Sequence, residues 1–282
     1  MLERSGVDSG AWSAFRTLPA VIDSVGHNDF GREMVSFLGR AYGAEHCTLF
    51  RIDPEKPCEI FAASRDGTDT AHRQFSLFVS GSYWRNDVGI AAALGGGNPR
   101  GMSRIDVRSM PVGDYRSRLY GRTHIRERVL IWETMSECTI GLSILRLEER
   151  GLASEEEIAE LAQVSAILMA ITSKHAEIVN SRSRFSLALT SLTEIEQTMR
   201  RASVELPKRE MEVCARIVFG ISTAGIAVDL GVGEETVMTY RKRAYQRLGI
   251  GSQRELMLWY IDEWSSTTGS QSRYWTGPPG GR

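Results

Sequence analysis

Apolar residues change their period several times along the chain of 282 residues, and each change marks an element. In "AFRTLPAVIDSVGHNDFGREMVSFLGRAYGAE", Val21, Val25, Phe30, Met34, Phe37 and Leu38 recur at helical spacing. "CTLFRID" (47–53) and "CEIFAAS" (58–64) are short, β-rich runs, and the Pro-containing turn between them predicts a hairpin. "AHRQFSLFVSGSYW" (71–84) returns to an amphipathic helical pattern. "ALGGGNPRGMS" (93–103) reads as an exposed or lid loop. It lacks the Gly-Lys-Ser/Thr ending of a phosphate-binding loop, and no G-x-G-x-x-G turn lies between a strand and a helix. "RERVLIWETM" (126–135) and "CTIGLSILRLEE" (138–149) predict two further strands. The clearest helix, 154–178, opens on a Ser154/Glu157 capping box.

This order predicts an α+β domain over 15–179, an antiparallel sheet with its helices gathered on one side. Its ending, "IGLSILRLEERGLASEEEIAELAQVSAILMAI", runs from a last strand through a polar turn into a long helix. In that respect the domain resembles the GAF/PAS-like sensor domains of bacterial signalling proteins. Over 180–203 a polar helical connector carries Ala188, Leu192, Ile195, Met199 and Ala202 at alternating spacings of four and three. That seam fits either a helix packed on its own domain or a dimer helix. The last stretch, 263–282, is rich in Gly, Ser, Thr and Pro and is expected to be disordered.

Between them, 204–262 has the size of a small all-α domain of four helices. "KREMEVCARIVF" (208–219) offers Met211, Val213, Cys214 and Ile217 to a core and stops at Gly220. A second helix follows the N-cap Ser222, "GVG" (231–233) makes a tight turn, and a third helix starts at Glu234. Two helices joined in this way form a helix-turn-helix. A fourth opens on Ser252 with Glu255 and carries Leu256, Trp259 and Tyr260.

The whole segment "LPKREMEVCARIVFGISTAGIAVDLGVGEETVMTYRKRAYQRLGIGSQREL" resembles the LuxR-type (GerE-like) DNA-binding domain. Leu206, Arg209, Glu210, Glu212, Val213, Gly220, Ser222, Ile226, Ala227, Leu230, Thr236, Val237, Leu248 and Gly249 match its pattern with no insertion. The chain departs from that pattern at Pro207 and Gly233, which replace capping residues. It departs again at Met238, in place of a common Lys or Arg, and at Tyr240, in place of a common His. The resemblance implies binding to double-stranded promoter DNA.

In the third helix Val237, Tyr240, Ala244 and Leu248 recur on one side and are expected to face the core. Met238, Thr239 and Lys242, with Gln246, lie opposite, and geometry and resemblance together make the first three the base-reading residues. Arg241, Arg243 and Arg247, with Thr236 at the helix start, are expected at phosphates. Taken alone, this cationic run would read as a solvated face paired with Glu234 and Glu235. Within a complete helix-turn-helix it reads as a DNA surface.

A formal net charge of -1 excludes a polycation that coats nucleic acid, but leaves room for such a local basic face. Cys47, Cys58, Cys138 and Cys214 show no metal-ligand spacing and are expected as buried reduced thiols. His27, His46, His72, His124 and His175 are isolated, and no nucleophilic triad or paired-carboxylate arrangement is visible, so no cofactor and no enzymatic activity are expected. Tyr83, Trp84, Tyr115, Tyr120 and Trp132 are the candidate lining of an effector pocket, with core packing as their alternative role. The first residues lack the apolar stretch of a signal peptide and no run is long enough to span a bilayer, so a cytoplasmic protein is expected.

The combination predicts an effector-responsive transcriptional regulator that acts as a homodimer and meets RNA polymerase at its promoters. A quorum-sensing receptor for an acyl-homoserine lactone-like signal is a narrower version. However, the spaced Trp, Tyr, Asp-Pro and Trp-Gly signature of such receptors is not found in the N-terminal half. Two further alternatives are a metabolite enzyme regulated by the C-terminal unit and an adaptor that has lost DNA binding, the latter motivated by Met238 and Gly233.

Overall fold

A computed structural model describes residues 16–267, apart from residues 54, 96, 136, 137 and 203. The chain divides between Val179 and Asn180 into two compact units. In the first, α1 (Leu18–Asp23) and α2 (Phe30–Ala41) precede the hairpin β1 (His46–Ile52) and β2 (Cys58–Ser64). Next come α3 (Thr70–Ser80), α4 (Val88–Leu94) and the strands β3 (Arg100–Asp106), β4 (Ile125–Thr134) and β5 (Thr139–Leu147). The long helix α5 (Glu155–Thr190) starts in this unit. The strands form one antiparallel sheet in the order β2-β1-β5-β4-β3.

The sheet is covered on both faces, which corrects the expectation of helices on one side. β1, β4 and β5 are buried at nearly every position, as strands are when neither face meets water. Alternate side chains sort the core into two layers. Cys47, Leu49, Val129, Ile131, Leu142 and Ile144 pack with α2 and the start of α5. Phe50, Ile52, Leu130, Trp132 and Leu145 pack with α3, α4 and the segment 107–121.

A second correction concerns 93–103. Ala93 and Leu94 close α4, and Arg100–Asp106 is the edge strand β3. Its half-exposed residues carry no clear alternation, so the pattern hides a strand that only pairing with β4 defines. Gly101 belongs there because a Cβ would sit 2.1 Å from Trp132, whose ring crosses it.

The capping box of α5 is present in both directions, Glu157 N–H to Ser154 Oγ and Ser154 N–H to Glu157 Oε2. Buried Glu127 accepts from Tyr42 Oη, Arg104 Nε and the Ala153 N–H, and Arg146 donates to Tyr42 O and Glu157. These bonds fasten the loop ahead of α5 to the sheet. Cys47 and Cys214 are buried and Cys138 is half-buried, but Cys58, the first residue of β2, is exposed, contrary to expectation.

The second unit holds the end of α5, then α6 (Leu192–Arg200), α7 (Lys208–Phe219), α8 (Thr223–Leu230), α9 (Glu234–Leu248) and α10 (Gln253–Thr267). Ala188, Ile195 and Met199 of the connector seam are buried in this unit's own core, with Leu192 packed against it. Arg216 of α7 reaches Glu196 of α6 at 3.1 Å. α10 runs past the predicted boundary: Trp264 is buried and meets Phe185 edge-on, and Ser265 is helical. The rest of the expected tail, 268–282, lies outside the described residues.

Candidate nucleic-acid interface

The geometry of α8 and α9 follows from their ends. Ser222 Oγ accepts the Gly225 N–H at the start of α8. Gly231 closes that helix at φ 66, a left-handed conformation that glycine adopts without strain. Gly233 then opens α9 with no side-chain cap, and Gly249 ends it at φ 68. The chain reverses within these few residues, and α9 is held by its apolar side.

Val237 and Ala244 are buried, while Tyr240 and Leu248 pack half-buried against the same core. Tyr245 is buried too, at 7% exposure, and sequence reading missed it. It lies eight residues beyond Val237, so the helical period alone would have found it. Burial pushes its hydroxyl pKa up. The hydroxyl has no hydrogen-bond partner among the described residues, and Arg241 lies 5.4 Å over the ring.

Thr236, Met238, Thr239, Arg241, Lys242, Arg243, Gln246 and Arg247 all stand exposed on α9. Met238, at 60% exposure, is a large apolar side chain left in water on a helix otherwise polar on that side. With Thr239, Arg241, Lys242 and Gln246 it lines a groove of about 510 Å³, floored by Tyr245 and closed by Ile250 and Gly251. Thr239 Oγ donates to Glu235 O at 2.9 Å. Thr236, Arg243 and Arg247 lie outside this groove. Arg247 is tied at 3.0 Å to Glu210, a carboxylate of α7 that is 4% exposed. It joins α9 to α7, a role that sequence reading did not assign.

In the first unit all five aromatic candidates belong to one packed layer. Trp84, Tyr120 and Trp132 are buried in it, and Tyr83 and Tyr115 pack against it, their rings stacked 5.4 Å apart. Only Tyr120 of the five lines the small internal space of about 30 Å³, beside Gln74, Phe78, Arg128 and Ser143. Inside this layer Arg128 forms a buried ion pair with Asp87 and donates to Ser143 Oγ, and Tyr115 donates to Asp87 at 2.6 Å. Burial opposes ionisation of Asp87, but Arg128 and the donors of Tyr115 and Ile90 N–H hold its carboxyl below the usual range. Gln74 donates to Leu119 O and has no partner for its own Oε1 among the described residues. Among the described residues no group of His, Cys, Asp and Glu could hold a metal ion, and no helix is long and apolar enough to cross a membrane.

Residues 204–260 match the family model "Bacterial regulatory proteins, luxR family". A putative HTH-type transcriptional regulator in the exeN 3′ region of Aeromonas salmonicida is 31% identical over 157 residues, covering 53% of this chain and 79% of that protein. Among solved structures, the VqsR LBD domain of Pseudomonas aeruginosa aligns with a TM-score of 0.44 at 14% identity, covering 60% of this chain and 99% of that one. Escherichia coli SdiA aligns with a TM-score of 0.38 at 13% identity, covering 92% and 98%. The helix-turn-helix geometry, the family match and the Aeromonas relative give one answer: the chain is a DNA-binding transcriptional regulator and belongs to the LuxR family of bacterial regulatory proteins.

Proposed function

We propose that α9 enters the major groove of promoter DNA and reads it through Met238, Thr239 and Lys242. The observation that carries this reading is the groove these three side chains line together, open to solvent and rimmed by cations. Met238 and the Thr239 methyl suit a thymine methyl, and Lys242 suits guanine O6 and N7. Gln246 extends the same ridge. Arg243 and Thr236, outside the groove, meet phosphates, and Arg241 reaches backbone from the groove edge where the Tyr245 ring supports it. Arg247 contributes charge to the same face while bracing α9 through Glu210.

Two protomers bind successive half-sites as a homodimer in the cytoplasm and act on RNA polymerase there. The unit 15–179 makes the regulator responsive to a small-molecule effector. The unpartnered Gln74 Oε1 beside a buried arginine supports a polar contact to that effector. An acyl-homoserine lactone-like signal is less favoured, because about 30 Å³ holds roughly one water and an acyl chain would have to displace core side chains.

A gel-shift titration of the full chain across salt concentrations tests the DNA reading. Affinity should fall steeply as salt rises, and Arg243→Ala should reduce the log–log slope by about 0.9, one released phosphate contact. An adaptor without DNA binding would give no shift at any salt.

A further inference from the structure

At one end of the sheet a cleft of about 330 Å³ opens between the turn Val107–Ser109, the helical segment Asp114–Arg116 with its continuation Ser117–Gly121, and the start of β4. Its floor is apolar, made by Val107, Tyr120 and Ile125, and its rim carries Arg108, Arg116 and His124. The single carboxylate on the rim, Glu148, is already matched by Arg108 at 2.7 Å. Among the described residues, the one side-chain hydrogen bond of Arg116 runs from Nη1 to Met110 O at 3.1 Å, an uncharged acceptor that orients the guanidinium without neutralising it. His124 is held at φ 51, a conformation costly for a residue with a side chain, and its carbonyl accepts the Glu148 N–H.

We propose that this cleft binds a small organic carboxylate, with its apolar body on Tyr120 and its charged head between Arg116 and His124. Volume and lining both fit: the space is that of a small-ligand site, apolar below with a few converging polar groups above. A guanidinium with free N–H groups takes a carboxylate through paired charge-assisted bonds. The apolar floor selects an amphipathic acid over inorganic phosphate. The site is separate from the internal space on the far side of Tyr120. That ring lines both and packs 5.8 Å from the Tyr115 ring, beside Arg128, so a ligand on the floor presses on the buried network around Asp87.

Calorimetric titration of the full chain with phenylacetate and with octanoate, each beside its primary amide, tests this. At least one acid should bind about tenfold more tightly than its amide, the increment expected for a charge-assisted contact. Arg116→Gln should erase that preference. Gly121→Phe should abolish binding of acid and amide alike, because a Cβ at Gly121 comes no nearer than 3.9 Å to its neighbours and the ring fills the cleft. A thermal melt identifies variants that remain folded. If Arg116→Gln does not fold, the acid–amide comparison and Gly121→Phe decide the matter. Equal affinity of acid and amide, no heat with either acid, or inorganic phosphate binding as tightly as the acids would overturn the proposal.

Discussion

Asp87 and Arg128 are the residues whose loss the N-terminal unit should feel most. Both are almost fully buried, and neither has a second ionic partner in the described structure. Removing one charge leaves the other in a low-dielectric layer, so Asp87→Asn should cost about 3–5 kcal/mol in urea unfolding. The pH dependence follows from the lowered Asp87 pKa. Its carboxyl takes up a proton more readily in the unfolded chain. The pair's stabilisation is therefore complete above about pH 4, the unfolded value, and is lost as pH falls through the lower folded value. Wild type should lose stability more steeply in that acidic window than Asp87→Asn, which keeps only the contributions of other lowered carboxylates such as Asp66, Glu148 and Glu157. At Arg247 the same reasoning separates stability from recognition. Arg247→Ala leaves Glu210 buried and unpaired and should lower unfolding stability by about 1–3 kcal/mol, whereas exposed Arg243→Ala should change it by under about 0.5 kcal/mol. The Arg247 partnership was not legible beforehand, because Glu210 lies on another helix and charge runs do not reveal long-range partners.

Among the elements, the helix-turn-helix was the most legible. α7 and α8 occupy the spans expected, because Ser222, Gly220 and Gly231 punctuate them by local chemistry. Ser222→Ala should cost about 1 kcal/mol by freeing the Gly225 N–H. Gly233→Ser should gain a few tenths of a kcal/mol, about the difference between a glycine and a hydroxyl cap, since its backbone is already extended and its Cβ space is open. Urea melts of the two variants check both signs. β3 was less legible, since an edge strand with mixed polarity has no period of its own. Two-sided burial of the sheet was readable in principle from the mostly apolar run "IGLSIL" of β5, interrupted only by Ser143.

At the scale of the whole molecule, the balanced charge and the local basic ridge on α9 belong together. A near-neutral chain avoids coating DNA, and on the proposed reading one helix carries the face that recognises it. The LuxR assignment was legible because its motif covers a complete small domain at fixed spacing. The role of the first unit was not, because its aromatic residues serve a packed layer and their chemistry does not name a ligand. The connector seam shows the same limit: its four–three spacing fits internal packing and dimerisation equally, and here it lies within its own unit. The most direct test of the central claim is selection of bound sites from random duplex DNA by wild type, Lys242→Ala and Arg243→Ala. Lys242→Ala should relax preference at one base pair per half-site, worth about 1–3 kcal/mol, and Arg243→Ala should weaken all sites while leaving the preferred sequence unchanged. Identical selected sequences and identical affinity losses for the two variants would contradict the account.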